Sequence, residues 1–152
     1  MHRFYRIVLY TALALGANTS LAADAALEAL RVGDMKKLNL HSDAKAIPDV
    51  VFFAEDGSEI TLTDYQGKTL LVNFWATWCP PCIREMPDLN EVAKEFKGTD
   101  FEVIAIATGR QGREKPDAFL EKRKLTEIKS FQDRKQDFLR SMKINSLPVS
   151  FI

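Results

Sequence analysis

Thr69-Leu-Leu-Val-Asn-Phe-Trp75-Ala-Thr-Trp78-Cys79-Pro-Pro-Cys82-Ile-Arg-Glu85-Met-Pro87 is the stretch that decides the fold. Thr69 to Trp75 is a nearly continuous apolar run, the pattern of a strand buried on both faces. After the short loop Ala76-Thr77-Trp78, a Cys-x-x-Cys pair opens a segment that runs from about Cys82 to Phe96. Leu89, Val92, Ala93 and Phe96 recur there at helical spacing, which predicts a helix with one apolar stripe, capped just beyond by Gly98. The cysteines therefore sit at a strand-to-helix junction. A sulfur at that place lies near unpaired backbone N–H groups and the positive end of the helix dipole, which favours thiolate over thiol. Thiolate is the attacking species in disulfide exchange. That position makes Cys79 the nucleophile and Cys82, one turn further on and more buried, the resolving thiol. A Cys-x-x-Cys pair can also clip a metal. With 2 Cys and 2 His in the whole chain, a closed zinc site lacks ligands.

Working outward, Val50-Val-Phe-Phe53 and Ile60-Thr-Leu62 flank Glu55-Asp56-Gly57, a hairpin whose Asp-Gly supplies the turn. Asp64 to Lys68 reads as a second turn. Downstream, Phe101 to Ala107 is another buried strand, and Gly109 to Arg113 is a loop. Pro116 to Leu125 opens with a helix-compatible proline. A short strand over Ser130 to Gln132, a helix over Gln136 to Met142 and a strand over Leu147 to Ile152 complete the body. Strands alternating with helices predict an α/β domain with a mixed sheet. Ahead of it, Ala25 to Arg31 reads as a short helix, and His41 to Lys45 as a polar loop.

Lys plus Arg equals Asp plus Glu at 21 each, so no basic excess drives binding to nucleic acid or an anionic membrane. Hydrophobic residues at 46% and charged residues at 28% fit an ordinary globular domain and exclude a disordered or multispan chain. The N-terminus carries Arg3 and Arg6, then an apolar run from Ile7 to Leu15, then Ser20-Leu21-Ala22. That is the plan of a secretory signal cut after Ala22. The alternative is an uncleaved membrane anchor, but Asn18-Thr19-Ser20 interrupts the run well short of the roughly 20 apolar residues a span requires. Either way the body is exported, to a bacterial periplasm. The expected organisation is an export segment over residues 1–22, a linker with a short helix over 23–46, and one domain over 47–152.

Asn73 to Pro87 closely resembles the active-site segment of TlpA/ResA-type thioredoxin-like proteins. Asp56-Gly57 and Leu62-Thr-Asp-Tyr-Gln-Gly67-Lys68 resemble that family's first hairpin, and Ile144-Asn-Ser-Leu147-Pro148-Val-Ser-Phe-Ile152 resembles the loop of the thioredoxin cis-proline. The resemblance implies a thioredoxin-like fold, a central mixed sheet with flanking helices and an N-terminal β-hairpin. It implies an exported thiol–disulfide oxidoreductase that reduces protein disulfides, with apocytochrome c or copper-chaperone cysteines as substrates. It further implies an upstream membrane electron donor of the thiol-reducing type, and no cofactor besides the Cys79–Cys82 disulfide. Two departures stand out. Thioredoxin places a buried Asp where this chain has Asn73, whereas the TlpA/ResA branch commonly carries Asn and adds a glutamate three residues after the second cysteine, matching Glu85. Family members also continue past the cis-proline strand into a further strand and a helix, so a chain ending at Ile152 is expected to lack both.

Glu85 follows Cys82 by one helical turn, which lets its carboxylate approach the cysteine pair. Spacing alone leaves it either a proton carrier or a solvated side chain; the resemblance implies the proton carrier. Pro148 falls in a strand, where proline is unwelcome, and the resemblance implies a cis bond that presents Leu147 to a partner's backbone. Trp78 is expected as a half-exposed platform over Cys79, and Trp75 as core. Pro87 reads as a kink, and Arg84, His41 and the run Glu121-Lys-Arg-Lys124 as solvated. Two other functions compete: a general periplasmic disulfide oxidase or isomerase, and a Cu(I)-binding module. Against the second, copper chaperones of this fold usually add a late histidine, and this chain has none after His41.

Overall fold

The computed structural model describes residues 26–41, 46–110 and 112–152. The export segment read over residues 1–22 lies outside the described residues, as does most of the polar loop at 42–45. Among the described residues no helix is long and apolar enough to cross a membrane. The chain divides into two units, Met1–Lys45 and Ala46–Ile152. In the first, residues 26–29 are helical and Gly33–Lys37 form a 3-10 turn. Arg31 grips both carboxylate oxygens of Glu28 there, at 2.8 and 2.9 Å.

The second unit runs β1 (Phe52–Phe53), β2 (Glu59–Ile60), a 3-10 turn (Leu62–Tyr65), β3 (Thr69–Trp75), α1 (Pro80–Glu95), β4 (Phe101–Thr108), α2 (Glu114–Lys122), β5 (Lys129–Asp133), α3 (Asp137–Ser141) and β6 (Val149–Phe151). One six-stranded sheet has the order β2-β1-β5-β4-β3-β6. β3, β4 and β5 are parallel, joined through α1 and α2, the crossovers that parallel neighbours require. β6 runs antiparallel to β3, and β1 antiparallel to β5, so the sheet is mixed. The β1–β2 hairpin turns at Gly57, whose φ of 85° is the left-handed conformation read from Asp56-Gly57.

Alternation along β3 and β4 divides the core between the two faces. Val72, Phe74, Ile104 and Ile106 pack with Phe52, Phe131 and Phe138 on one. Trp75, Ala105 and Ala107 pack with Cys79, Cys82, Met86 and Leu120 on the other. The hairpin is fastened by one side chain from the start of α2. Arg113 donates to the carbonyls of Ala54 at 2.8 Å, Phe53 at 3.4 Å and Ser130 at 3.5 Å, while Asp117 holds its other nitrogens.

Three element readings are corrected. α1 begins at Pro80, ahead of the Cys82 start expected from the stripe, because prolines in the first turn lack N–H groups that would go unpaired there. Its buried line is Cys82, Met86 and Asn90, with Leu89 and Ala93 packed at the margin and Phe96 43% exposed. Asn90 earns its inward place by accepting the Glu127 N–H at 3.0 Å. α2 starts at Glu114 and ends at Lys122, so Pro116 is buried inside its first turn and the chain leaves through Lys124 at φ 57°.

Candidate active site

Cys79 is the N-cap of α1. Its Sγ accepts the N–H of Cys82 at 3.3 Å, and the two sulfurs form a disulfide with Cα atoms 5.3 Å apart. Pro80 and Pro81 fill the first two helical positions, so the N–H of Cys82 is the nearest backbone donor the motif offers to that sulfur. Cys79 keeps 4% of its surface and Cys82 none. Trp78 is 64% exposed beside the pair. Trp75 closes β3 fully buried beneath it, tilted against Phe119 with ring centroids 5.4 Å apart.

The Leu147–Pro148 peptide is cis. β6 then pairs with β3 in the register Phe74↔Val149 and Asn73↔Ser150, which sets Pro148 level with Trp75 at the end of β3 where the cysteine loop departs. Leu147 is half-buried and packs against both core clusters. Glu85 is half-buried on α1, and its Oε1 accepts the Asn73 amide at 2.7 Å. Burial pushes its carboxyl above the ordinary glutamate value, and the Asn73 hydrogen bond opposes that rise. Arg84, His41 and residues 121–124 are exposed, and Arg123 lies over the Phe119 ring at 4.9 Å. Among the described residues no group of three His, Cys, Asp or Glu is placed to hold a metal.

The site also contains a residue whose role the sequence did not reveal. Asn73 was visible only as a departure from thioredoxin, yet its amide meets both Glu85 and Ser150. The available signal was a carboxamide inside an apolar strand. Outside this constellation, Asp133 is buried at the end of β5, and its carboxylate accepts the N–H groups of Asp137 and Leu139 that open α3.

Residues 42–151 match the Redoxin family. The chain belongs to the Redoxin family. It is 36% identical over 105 residues to the thiol-disulfide oxidoreductase ResA of Geobacillus thermodenitrificans, covering 69% of this chain and 59% of that relative. To the ResA of Bacillus subtilis it is 37% identical over 68 residues, covering 45% of this chain and 38% of the relative. The chain thus spans about three fifths of the length of the first of these curated relatives, at 59%. Among solved structures, it is similar to the exposed lipoprotein thioredoxin Etrx1 of Streptococcus pneumoniae, with TM-score 0.58, 27% identity and coverage of 68% of this chain and 78% of that one. A thiol:disulfide interchange protein from Bacteroides sp. gives TM-score 0.59 at 28% identity, covering 68% of this chain and 69% of the other. The fold of this Redoxin-family chain is thioredoxin-like, and the ResA side of the resemblance is borne out.

Proposed function

We propose that this protein is an exported thiol–disulfide oxidoreductase that reduces protein disulfides through Cys79 and Cys82. The observation that carries the reading is the disulfide at the start of α1, with the Cys82 N–H directed at Cys79 Sγ. In the reduced protein the Cys79 thiolate attacks one sulfur of a target disulfide. That bond breaks, the departing target sulfur takes a proton, and a mixed disulfide joins Cys79 to the target. Cys82 passes its proton to Glu85 and attacks Cys79 Sγ, which closes the Cys79–Cys82 disulfide and releases the second target thiol. Two electrons pass to the target, and an upstream membrane donor of the thiol-reducing type restores the dithiol. Trp78, Leu147 and Pro148 frame the approach of the target chain. Apocytochrome c or copper-chaperone cysteines are the substrates we assign, and the periplasm the place of work, reached through the signal over residues 1–22, with a membrane tether only if that segment stays uncleaved.

Capture tests this reading. Cys82→Ser should arrest the reaction at the mixed disulfide, so target proteins accumulate linked to Cys79 and are released by dithiothreitol. Absence of any Cys79-linked species, with Cys79 free and reactive, would overturn it.

A further inference from the structure

Asn73 sits mid-strand in β3, fully buried, with its side chain on the sheet face shared by Trp75 and opposite to that of Val72 and Phe74. Its Nδ2 group donates to Glu85 Oε1 at 2.7 Å and to Ser150 Oγ at 3.0 Å, while its Oδ1 has no partner among the described residues. An amide in this place leaves a buried acceptor unpaired, a cost that an apolar residue of the same size would avoid. The two contacts also choose the amide's orientation, since a flipped Asn73 would set its oxygen against the Glu85 carboxylate. Ser150 lies opposite Asn73 in the β3–β6 register, two residues after Pro148.

We infer that Asn73 is a positioning residue that orients the Glu85 carboxylate and ties it, through Ser150, to the strand following Leu147–Pro148. The group that moves protons and the turn that receives the target chain are then held by one amide. The inference rests on the proton role given to Glu85 above. Around that carboxylate, β3 contributes Asn73, β6 is uncharged over Val149–Phe151, and α1 contributes the Cys82 sulfur one turn earlier, with exposed Arg84 and Asp88 nearby in sequence. Burial raises the Glu85 carboxyl and the Asn73 donor opposes it, so removing the donor moves the carboxyl further up.

The test uses the full chain and two readouts. One is the Glu85 carboxyl titration by 13C NMR; the other is the rate of exchange with oxidised glutathione across pH. Asn73→Leu should move the NMR midpoint upward and carry the pH limb of the rate with it. In a Glu85→Gln background the same substitution should change the rate by less than about twofold, the mark of two residues acting through one contact. An unmoved midpoint in folded Asn73→Leu, or an equal loss of rate with and without Glu85, overturns the inference and leaves the oxidoreductase reading standing. Exchange indifferent to Glu85→Gln removes the proton role itself, and the inference falls with it. Where Asn73→Leu fails to fold, Ser150→Ala frees the second donor and loosens the amide, and the midpoint should rise by a smaller amount. An unmoved midpoint there overturns the tie to β6.

Discussion

Cys79 and Cys82 are chemically identical residues made unequal by one turn of helix. The first caps α1 and retains 4% of its surface; the second lies inside the first turn with none. In the reduced chain at neutral pH, iodoacetamide should modify Cys79 well ahead of Cys82, and peptide mapping by mass spectrometry decides the order. Faster labelling of Cys82 would reverse the roles. Glu85→Gln should slow exchange by about a hundredfold, the ordinary scale of general acid–base assistance, with the fold intact. It also has a stability signature. A carboxyl raised in the folded state contributes stability that is full below its unfolded range and lost as pH rises through the folded value. The Gln variant escapes that loss, so in urea melts it should gain on the parent as pH rises above the ordinary glutamate range, about pH 4. Equal pH dependence of the two would remove the buried carboxylate from the account. The cysteine pair and the buried Trp75 were legible because local pattern marks them, whereas the cis Pro148 followed from the family resemblance. The partners of Asn73 lie 12 and 77 residues away in sequence, and contacts at that separation leave no periodicity to read.

For α1, the inward face was misread from sequence because an apolar stripe counts leucines, valines and phenylalanines. The helix turns inward a cysteine, a methionine and an asparagine whose amide oxygen has a backbone donor waiting. Its start carries a further consequence. A strongly oxidising pair stabilises its first thiolate with nearby donors and positive charge. Here two prolines remove two such N–H groups, so the potential should fall below about −200 mV on equilibration with glutathione, read by tryptophan fluorescence. A value near the roughly −120 mV of a strong oxidant would favour the oxidase. At α3 the cap comes from outside the helix. Asp133 in β5 accepts two of its first N–H groups, at 2.9 and 3.0 Å, and an Asp placed four residues ahead of the helix was the signal available for it. Asp133→Ala should cost about 2 kcal/mol in denaturant melts and fray Asp137–Ser141 in hydrogen exchange. A loss below about 0.5 kcal/mol would show the cap to be dispensable.

At the scale of the whole domain, the alternation of strands and helices gave the mixed sheet, and the two-residue strands of the hairpin were overestimated because apolar runs extend past the paired residues. What fastens that hairpin was invisible for the same reason as the Asn73 contacts. Arg113 lies 59 residues from Ala54, one of the carbonyls it holds. Arg113→Lys keeps the charge but not the fork that spans several carbonyls, so amides of β1 and β2 should exchange faster while those of β3 and β4 stay protected. Uniform exchange across the sheet would deny the hairpin a separate attachment.

That attachment reaches the hairpin through main-chain oxygens at Phe53 and Ala54, below an exposed tip at residues 55–59. Phe52 and Ile60 are committed to the core, and the clamp's hydrogen bonds go to main-chain oxygens, with the Asp56 carboxylate of the tip also feeling the Arg113 charge. The tip is thus a port for foreign sequence. A peptide epitope or affinity tag spliced between Glu55 and Glu59 would be displayed to solvent without loosening the guanidinium beneath it.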